Sequence, residues 1–119
     1  MSAAIPAETL AYKVLTGEQR AELESGTFGG APVDLADGYI HMSTADQVTA
    51  TVDKHFAGQG DLHVATVDLT AFGPSLKWEV SRGGALFPHL YVPLPLAAVV
   101  AMEPLSRLPD GSVALPQPE

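Results

Sequence analysis

The prediction of the fold class depends most on the stretch LAYKVLTGEQRAELESG, residues 10–26. Leu10 to Leu15 mixes aromatic and branched side chains, which is typical of a β-strand. Thr16 and Gln19 match a capping box, in which both side chains satisfy backbone N–H groups at the start of a helix. Gly26 predicts the end of that helix, because glycine adopts the left-handed conformation at low cost. A strand that leads directly into a short helix indicates a domain containing both element types.

Outward from this stretch, the chain predicts a loop, a second strand and a second helix. Residues 27–37 are rich in Gly, Pro and Asp without periodicity, which predicts a long loop. Tyr39 to Ser43 predicts the strand. Thr44 and Gln47 repeat the capping-box spacing before apolar residues at helical spacing, so they predict a helix, which Gly58 closes.

The rest of the chain predicts strands and turns. The predicted strands are Leu62 to Leu69, Leu76 to Val80, His89 to Val92 and Ala97 to Met102. Asp110-Gly111 predicts a turn into a last short segment. Together these elements predict an α+β fold with mixed, mostly antiparallel sheets and two or three short helices. We expect one domain over residues 1–119, with a core at about 10–115 and loose termini, the tail after Leu115 included.

Composition narrows the function classes. The absence of Cys removes thiol nucleophiles and thiolate zinc sites from consideration. Fourteen Asp and Glu against six Lys and Arg give a net charge of −8, which disfavours nucleic-acid binding but lets a few local positive groups seat a phosphorylated small molecule. No apolar run is long enough to span a bilayer, and the N-terminus lacks the basic-then-apolar order of a secretory signal. We therefore expect a cytoplasmic protein with a small-molecule partner and no membrane contact.

Three predicted strands carry polar side chains on the face opposite their apolar residues, because side chains alternate along a strand. These polar residues are His41, Ser43, Glu79, His89 and Tyr91. The faces are either solvated outer faces of half-buried strands or, if the sheet folds over, the walls of one cleft. In the second case a carboxylate lies near two imidazoles and a phenol.

Other residues have simpler structural explanations. Ser43 is typical of a helix N-cap, with ligand contact as a second role. His55 is a favourable partner of a helix dipole, and His63 shares a face with apolar residues, which predicts a buried, hydrogen-bonded histidine. Leu76, Trp78 and Val80 predict one core face, and Leu90 and Val92 predict another.

A cation followed by two glycines stands at Arg82-Gly83-Gly84. This arrangement is either a flexible turn or a place where bare backbone approaches an anion such as a pyrophosphate.

Several blocks of the sequence together resemble the bacterial domain-of-unknown-function family 952, from Tyr12 to about Val100. The blocks are Asp37-Gly-Tyr-Ile-His-Met-Ser-Thr44 with Gln47, Lys77-Trp-Glu79, Ser81-Arg-Gly-Gly84, Leu86-Phe-Pro-His-Leu-Tyr91 and Pro93-Leu-Pro95. The family is in turn similar to the ADP-ribosyltransferase fold, in which a strand, a helix, a Gly, a second strand and a late Glu follow in this order. The matching positions here are Tyr12 and Lys13, Gly26, the strand at residues 41–43, and Glu79.

This resemblance implies an NAD-dependent ADP-ribosyl-transferring or NAD-cleaving enzyme, with NAD as its substrate. Glu79 would be catalytic, stabilising the cation that forms as nicotinamide leaves, and His41 would act with it. Under this hypothesis the dinucleotide is bound by Lys13, which stands where such enzymes often carry His or Arg, and by Ser43, His89 and Tyr91. Arg82, from the Arg-Gly-Gly pattern, is the further predicted binding residue.

Two alternatives remain open. The first is a noncatalytic module that binds a small molecule or nucleotide on the same fold, because fold does not determine function. The second is a metal site formed by His41, His89 and Glu79, since two imidazoles and one carboxylate suit iron or zinc. No HxH or HExxH spacing supports this site, and we expect no metal.

Overall fold

The computed structural model describes residues 8–117, and the side chain of Arg82 lies outside this description. Over this range the helices are α1 (Gly17–Ser25), α2 (Pro32–Asp37) and α3 (Val48–His55). The strands are β1 (Leu10–Thr16), β2 (Ile40–His41), β3 (Leu62–Asp68), β4 (Leu76–Val80), β5 (Leu86–Leu90) and β6 (Val99–Pro104). The predicted α+β class with antiparallel sheets and short helices is confirmed.

Two three-stranded sheets form the scaffold, with the orders β1-β3-β6 and β2-β5-β4. Each strand pair in them is antiparallel. The sheets meet where Tyr12 and Ser43 form an isolated bridge. There the Tyr12 N–H donates to the Ser43 carbonyl at 2.8 Å, and the Ser43 N–H donates to the Tyr12 carbonyl at 3.0 Å. This junction brings the end of β2 against the middle of β1.

Strand β1 is buried on both faces. Ala11 and Leu15 pack into one hydrophobic cluster, and Tyr12 and Val14 pack into a second cluster. Lys13 shares the face of Ala11 and Leu15, and only 6% of it is exposed. A buried ammonium group needs a charged partner, so this strand alone demands a carboxylate nearby.

The local signals at residues 10–26 are confirmed. Thr16 caps α1 through its side chain, and the reciprocal bond from the Thr16 N–H to Gln19 is present. Gly26 ends the helix at a φ of 82°, in the left-handed region.

The predicted loop over residues 27–37 is wrong in its second half, where helix α2 forms. Pro32 occupies the first turn, and the Asp34 carboxylate accepts the Ala31 N–H at 2.7 Å. Ala31 has no side-chain oxygen to cap the helix, so the usual N-cap signal was absent from the sequence. A proline at the first turn and a carboxylate in the N3 position form the helix start instead.

The second predicted strand and helix are shorter than expected. Strand β2 covers only Ile40 and His41, because Ser43 leaves this sheet to bridge Tyr12 of the other sheet. Helix α3 begins at Val48 and ends at His55, ahead of the predicted stop at Gly58. Half of the predicted capping box is present, since the Gln47 side chain accepts the Thr44 N–H at 3.0 Å.

The prediction of a strand from His89 to Val92 is wrong, because β5 runs from Leu86 to Leu90 with Pro88 inside it. The Pro88 carbonyl accepts the Met42 N–H just beyond β2. The N and C=O of one residue point toward the same neighbouring strand in an antiparallel sheet. The Pro88 nitrogen, which carries no hydrogen, therefore faces Met42, just past the end of the short strand β2. Tyr91 and Val92 therefore follow the strand, and Val92 is exposed rather than in the core.

Three further features of the strands and the tail differ from the prediction. Val80, predicted as core, is 68% exposed because it ends the edge strand β4. Strand β6 begins at Val99 because residues 96–98 form a 3-10 turn. The tail is ordered past Leu115, since the buried Thr66 hydroxyl donates to the Pro116 carbonyl at 2.9 Å. Residues 1–7 and 118–119, where loose termini were expected, lie outside the described residues.

Candidate functional site

The first polar cluster is built around Asp34 of α2. The Lys13 ammonium group lies 2.9 Å from Asp34 Oδ2 and donates to the His41 carbonyl at 2.9 Å. The His41 ring donates through Nδ1 to Asp34 Oδ1 at 2.7 Å, and its Nε2 lies 2.9 Å from Asp37 Oδ2. The His41 backbone N–H also donates to Asp34, at 3.0 Å. Asp34 therefore fixes both the backbone and the ring of His41.

Asp34 stays ionised although it is buried. Burial raises the pKa of Asp34, but hydrogen bonds from His41 and the charge of Lys13 outweigh it and lower that pKa to about 2. Burial lowers the pKa of Lys13, and the Asp34 charge opposes this shift. The two groups compensate each other's charge where neither could be buried alone.

The second polar cluster joins Glu79 of β4 to His89 of β5. The His89 ring donates through Nδ1 to Glu79 Oε1 at 2.8 Å, and the Tyr91 hydroxyl donates to the same oxygen at 2.7 Å. The Lys77 ammonium group lies 4.8 Å from the centre of the Tyr91 ring. The His89 side chain is 3% exposed, whereas the Glu79 side chain on the edge strand β4 is 37% exposed.

These contacts shift the acidity of all three groups. The Tyr91 hydroxyl, followed by His89, lowers the pKa of Glu79, and Glu79 in return raises the pKa of Tyr91 to about 12. Burial lowers the pKa of His89, against the opposing effect of Glu79. His89 is therefore neutral at neutral pH, with its proton on the nitrogen that faces Glu79.

Tyr39 connects the two clusters. Its ring stacks on the His89 ring with centres 4.2 Å apart, and it lies 4.6 Å from the His41 ring and 5.2 Å from the Tyr91 ring. The His41 and His89 rings meet edge to face at 5.4 Å. The packed rings hold both imidazoles in fixed orientations.

A cleft of about 870 Å³ opens beside these rings. Four of the residues predicted for the site line it, namely Lys13, His41, Ser43 and His89. Glu79 and Tyr91 do not line it but contact His89. The predicted meeting of a carboxylate, two imidazoles and a phenol is thus present, with the carboxylate outside the cleft wall. For Arg82, the predicted anion contact falls on a side chain outside the described residues.

The Nε2 atom of His89 is a polar atom of this wall that has no partner among the described residues. It makes no hydrogen bond to any described residue, whereas Nδ1 is held by Glu79. Within residues 8–117, no buried side-chain nitrogen or oxygen lacks a hydrogen-bond partner. His89 borders the cleft.

The structural roles predicted for Ser43, His63 and His55 can be compared with the structure one by one. Ser43 is not a helix N-cap, because α3 begins five residues later and the Ser43 hydroxyl bonds the Thr51 hydroxyl at 2.8 Å. His63 is hydrogen-bonded as expected, accepting from Arg20 at 2.9 Å and lying 3.2 Å from Asp61, but it is only partly buried. His55 stands in the last turn of α3.

Sequence reasoning missed Asp34 and Asp37, because both lay in the stretch assigned to a loop. The signal was Pro32 two residues before an acidic residue, which is typical of a helix start. It also left Tyr39 out of the site, although Tyr39 and His41 are two residues apart in the predicted strand and so lie on the same face.

Within residues 8–117, no group of three or more His, Asp or Glu side chains is arranged to hold a metal ion. In the proposed triplet of His41, His89 and Glu79, the polar atoms make hydrogen bonds within the described part of the protein, apart from Nε2 of His89 and Oε2 of Glu79. Across the same residues, no helix has the length and apolar character needed to cross a membrane.

Comparisons with known proteins place the site in a family. The crystal structure of protein CC0527 from Caulobacter crescentus superposes with a TM-score of 0.80 at 43% identity, over 89% of this chain and 94% of that chain. The solution NMR structure of CC0527 gives a TM-score of 0.75 at 44% identity, over 92% of this chain and 93% of that chain. No curated protein matches the chain significantly.

The family model described as "Protein of unknown function (DUF952)" matches residues 14–102. This range contains Asp34, His41, Glu79 and His89, the residues that form the two clusters. The resemblance inferred from the sequence blocks is thereby confirmed at the level of the family: the chain belongs to DUF952.

Proposed function

We propose that this protein binds a small organic molecule in the cleft and that His89, held by Glu79, accepts a hydrogen bond or a proton from that molecule. The observation that carries the proposal is the 2.8 Å bond from His89 Nδ1 to Glu79, which leaves Nε2, at the cleft, without a partner among the described residues. A neutral imidazole with its proton held at Nδ1 presents a lone pair at Nε2. That is the form a general base requires.

His41 has a positioning role beside His89 in this proposal. Both of its ring nitrogens lie within hydrogen-bonding distance of carboxylates, 2.7 Å from Asp34 and 2.9 Å from Asp37. Both nitrogens are therefore engaged within the protein, and the ring packs edge to face against the neutral His89 ring with centres 5.4 Å apart, which supports the orientation of His89.

The more specific hypothesis of an NAD-cleaving enzyme with an ADP-ribosyltransferase-like fold stays a prediction. It is favoured by the presence of His41, Ser43 and His89 along one cleft. It requires the Glu79 carboxylate to face the ribose, whereas that carboxylate binds Tyr91 and His89 outside the cleft lining. Lys13 is already paired with Asp34, so it offers little to a phosphate. We therefore rank this hypothesis second.

The expected cytoplasmic location and the small-molecule rather than nucleic-acid partner also stay predictions. The partner prediction depends on the net charge of −8.

The test is a two-dimensional amide NMR titration with NAD, ADP-ribose and a set of small hydroxy and keto compounds. Binding in the cleft is expected to shift the amides of Met42, Ser43 and Phe87, which line it. His89→Gln should weaken binding of the compound that binds best, and His63→Gln, a histidine outside the cleft, should leave it unchanged.

Three results would separate the hypotheses. Shifts confined to residues away from the cleft, or equal binding by both histidine variants, contradict the proposed function. If NAD binds, nicotinamide release is measured for the native protein and Glu79→Gln. Equal release by the two removes Glu79 from the catalytic role.

A further inference from the structure

We infer, on the basis of the proposed function, that the ligand of the cleft is an organic anion, with a carboxylate or phosphate group near Lys54 and an apolar body. The first observation is the distribution of charge around the cleft. The chain carries fourteen Asp and Glu against six Lys and Arg. Among the described acidic residues only Asp37 lines the cleft, whereas Lys13, Lys54 and three of the four histidines do. The cleft therefore reverses the charge balance of the whole molecule.

Most of these charged groups already have partners. Lys13 is balanced by Asp34, and the Asp37 carboxylate holds the His41 ring. A cationic ligand would meet a single carboxylate, and that carboxylate is already engaged.

Lys54 is the exception. No described carboxylate lies within ion-pair distance of it. The neighbouring carboxylate, Asp53, is bound by Arg107 at 2.7 Å. Lys54 lies in the last turn of α3 and borders the cleft. An unpaired ammonium group at the wall of a cleft attracts an anion, and the attraction is strengthened by the low-dielectric wall.

The remaining lining defines the rest of the ligand. Phe56, Phe87, Met42 and Val33 present aromatic and aliphatic surface to the cleft. Such surface favours burial of an apolar body by removing it from water. Charge and apolar surface together specify an amphipathic anion rather than an inorganic ion.

The experiment uses three probes of matched shape, namely 4-phenylbutyrate, the neutral 4-phenylbutyramide and the cationic 4-phenylbutylamine. Phenyl phosphate is a fourth probe, and it distinguishes a phosphate ligand from a carboxylate ligand. Each is titrated into the native protein while the amide shifts of the cleft residues are followed. A charge-assisted hydrogen bond to Lys54 is expected to make an anionic probe bind about fivefold more tightly than the amide, and the amine should bind most weakly.

Two lysine variants isolate the charge. Lys54→Gln should weaken the anionic probe about fivefold and leave the amide unchanged. Lys77→Gln removes the same charge from a lysine that lies over the Tyr91 ring, outside the cleft lining, and it should change neither.

The inference is overturned if the amide or the amine binds as tightly as both anions, if Lys54→Gln and Lys77→Gln have equal effects, or if no anionic probe shifts the cleft amides at millimolar concentration. Failure of the proposed function looks different. The role of His89 is read from the hydroxy compounds, which carry an O–H that can donate to Nε2. If all the probes bind equally and His89→Gln weakens the hydroxy compound that binds best, the proposed function stands without the anion. If Lys54→Gln weakens the anion and His89→Gln leaves binding of the hydroxy compounds unchanged, the anion stands without the role of His89.

Discussion

The Tyr91 hydroxyl donates to the Glu79 carboxylate across 2.7 Å, and this bond ties the residue after β5 to the edge strand β4. The same carboxylate oxygen accepts from His89. Glu79 thus binds the His89 imidazole without lining the cleft, and under the proposed function it fixes the tautomer of His89.

Substituting Glu79→Gln should lower the pKa of Tyr91 from about 12 toward its ordinary value of 10.0, because the ionised carboxylate is the main cause of the rise. The measurement is a pH titration of the Tyr91 ring carbon by NMR. His89→Gln leaves Glu79 in place and should leave the pKa of Tyr91 high. A Tyr91 pKa that stays near 12 in Glu79→Gln would show that the bond is absent.

Asp34→Asn should destabilise the protein by about 3 kcal/mol, because it leaves the Lys13 ammonium group buried without a countercharge. The free energy of unfolding is measured with urea. The double variant Lys13→Met with Asp34→Asn removes the unpaired charge, so it should be more stable than Asp34→Asn alone despite carrying one more substitution. Additive losses would argue against the buried ion pair.

Gly30→Ala should destabilise the protein by about 2 kcal/mol, because the backbone has a φ of +134° there and a Cβ would lie 2.9 Å from the Asp34 Cβ. Gly29→Ala is the matched control, since a Cβ at that position meets nothing within 4 Å. Its effect should stay within about 0.5 kcal/mol. Similar thermal unfolding midpoints for the two variants would contradict the close approach of residue 30 to Asp34.

Unfolding stability should rise with pH as the pH increases toward 6.5 and then level off. The pKa of His89 is below its ordinary value of 6.5 in the folded protein, so the unfolded chain binds more protons in that window. Acidification through the window therefore favours unfolding. Asp34 and Glu79, whose pKa values are lowered, act at lower pH.

The measurement is a series of urea denaturation curves between pH 5 and 7. His89→Gln should lose most of the slope, and His63→Gln should keep it. A slope that is equal in the native protein and in His89→Gln would assign the effect to other groups.

Local signals in the sequence predicted the elements that depend on neighbours in the chain. The capping box at Thr16 and Gln19 and the strands beginning at Leu62 and Leu76 needed no tertiary information. Helix α2 escaped prediction because Asp34, which caps it, is held by Lys13 and His41 from distant strands. Strand β2 was predicted too long because Ser43 pairs with Tyr12 of the other sheet.

The site was predictable in its residues more than in its geometry. Alternation along strands selected His41 and His89, which line one cleft. The same rule cannot predict on which side of the His89 ring the Glu79 carboxylate lies. In the structure, Glu79 lies outside the cleft lining. Lys13 was selected for a ligand, but burial forces its charge onto Asp34.

Long-range ¹H–¹⁵N NMR of the His89 imidazole at neutral pH measures which ring nitrogen carries the proton. We expect a neutral ring with the proton on Nδ1 and a bare Nε2, whose ¹⁵N signal shifts when a ligand enters the cleft. A doubly protonated ring, or a proton on Nε2 with a bare Nδ1, would contradict it.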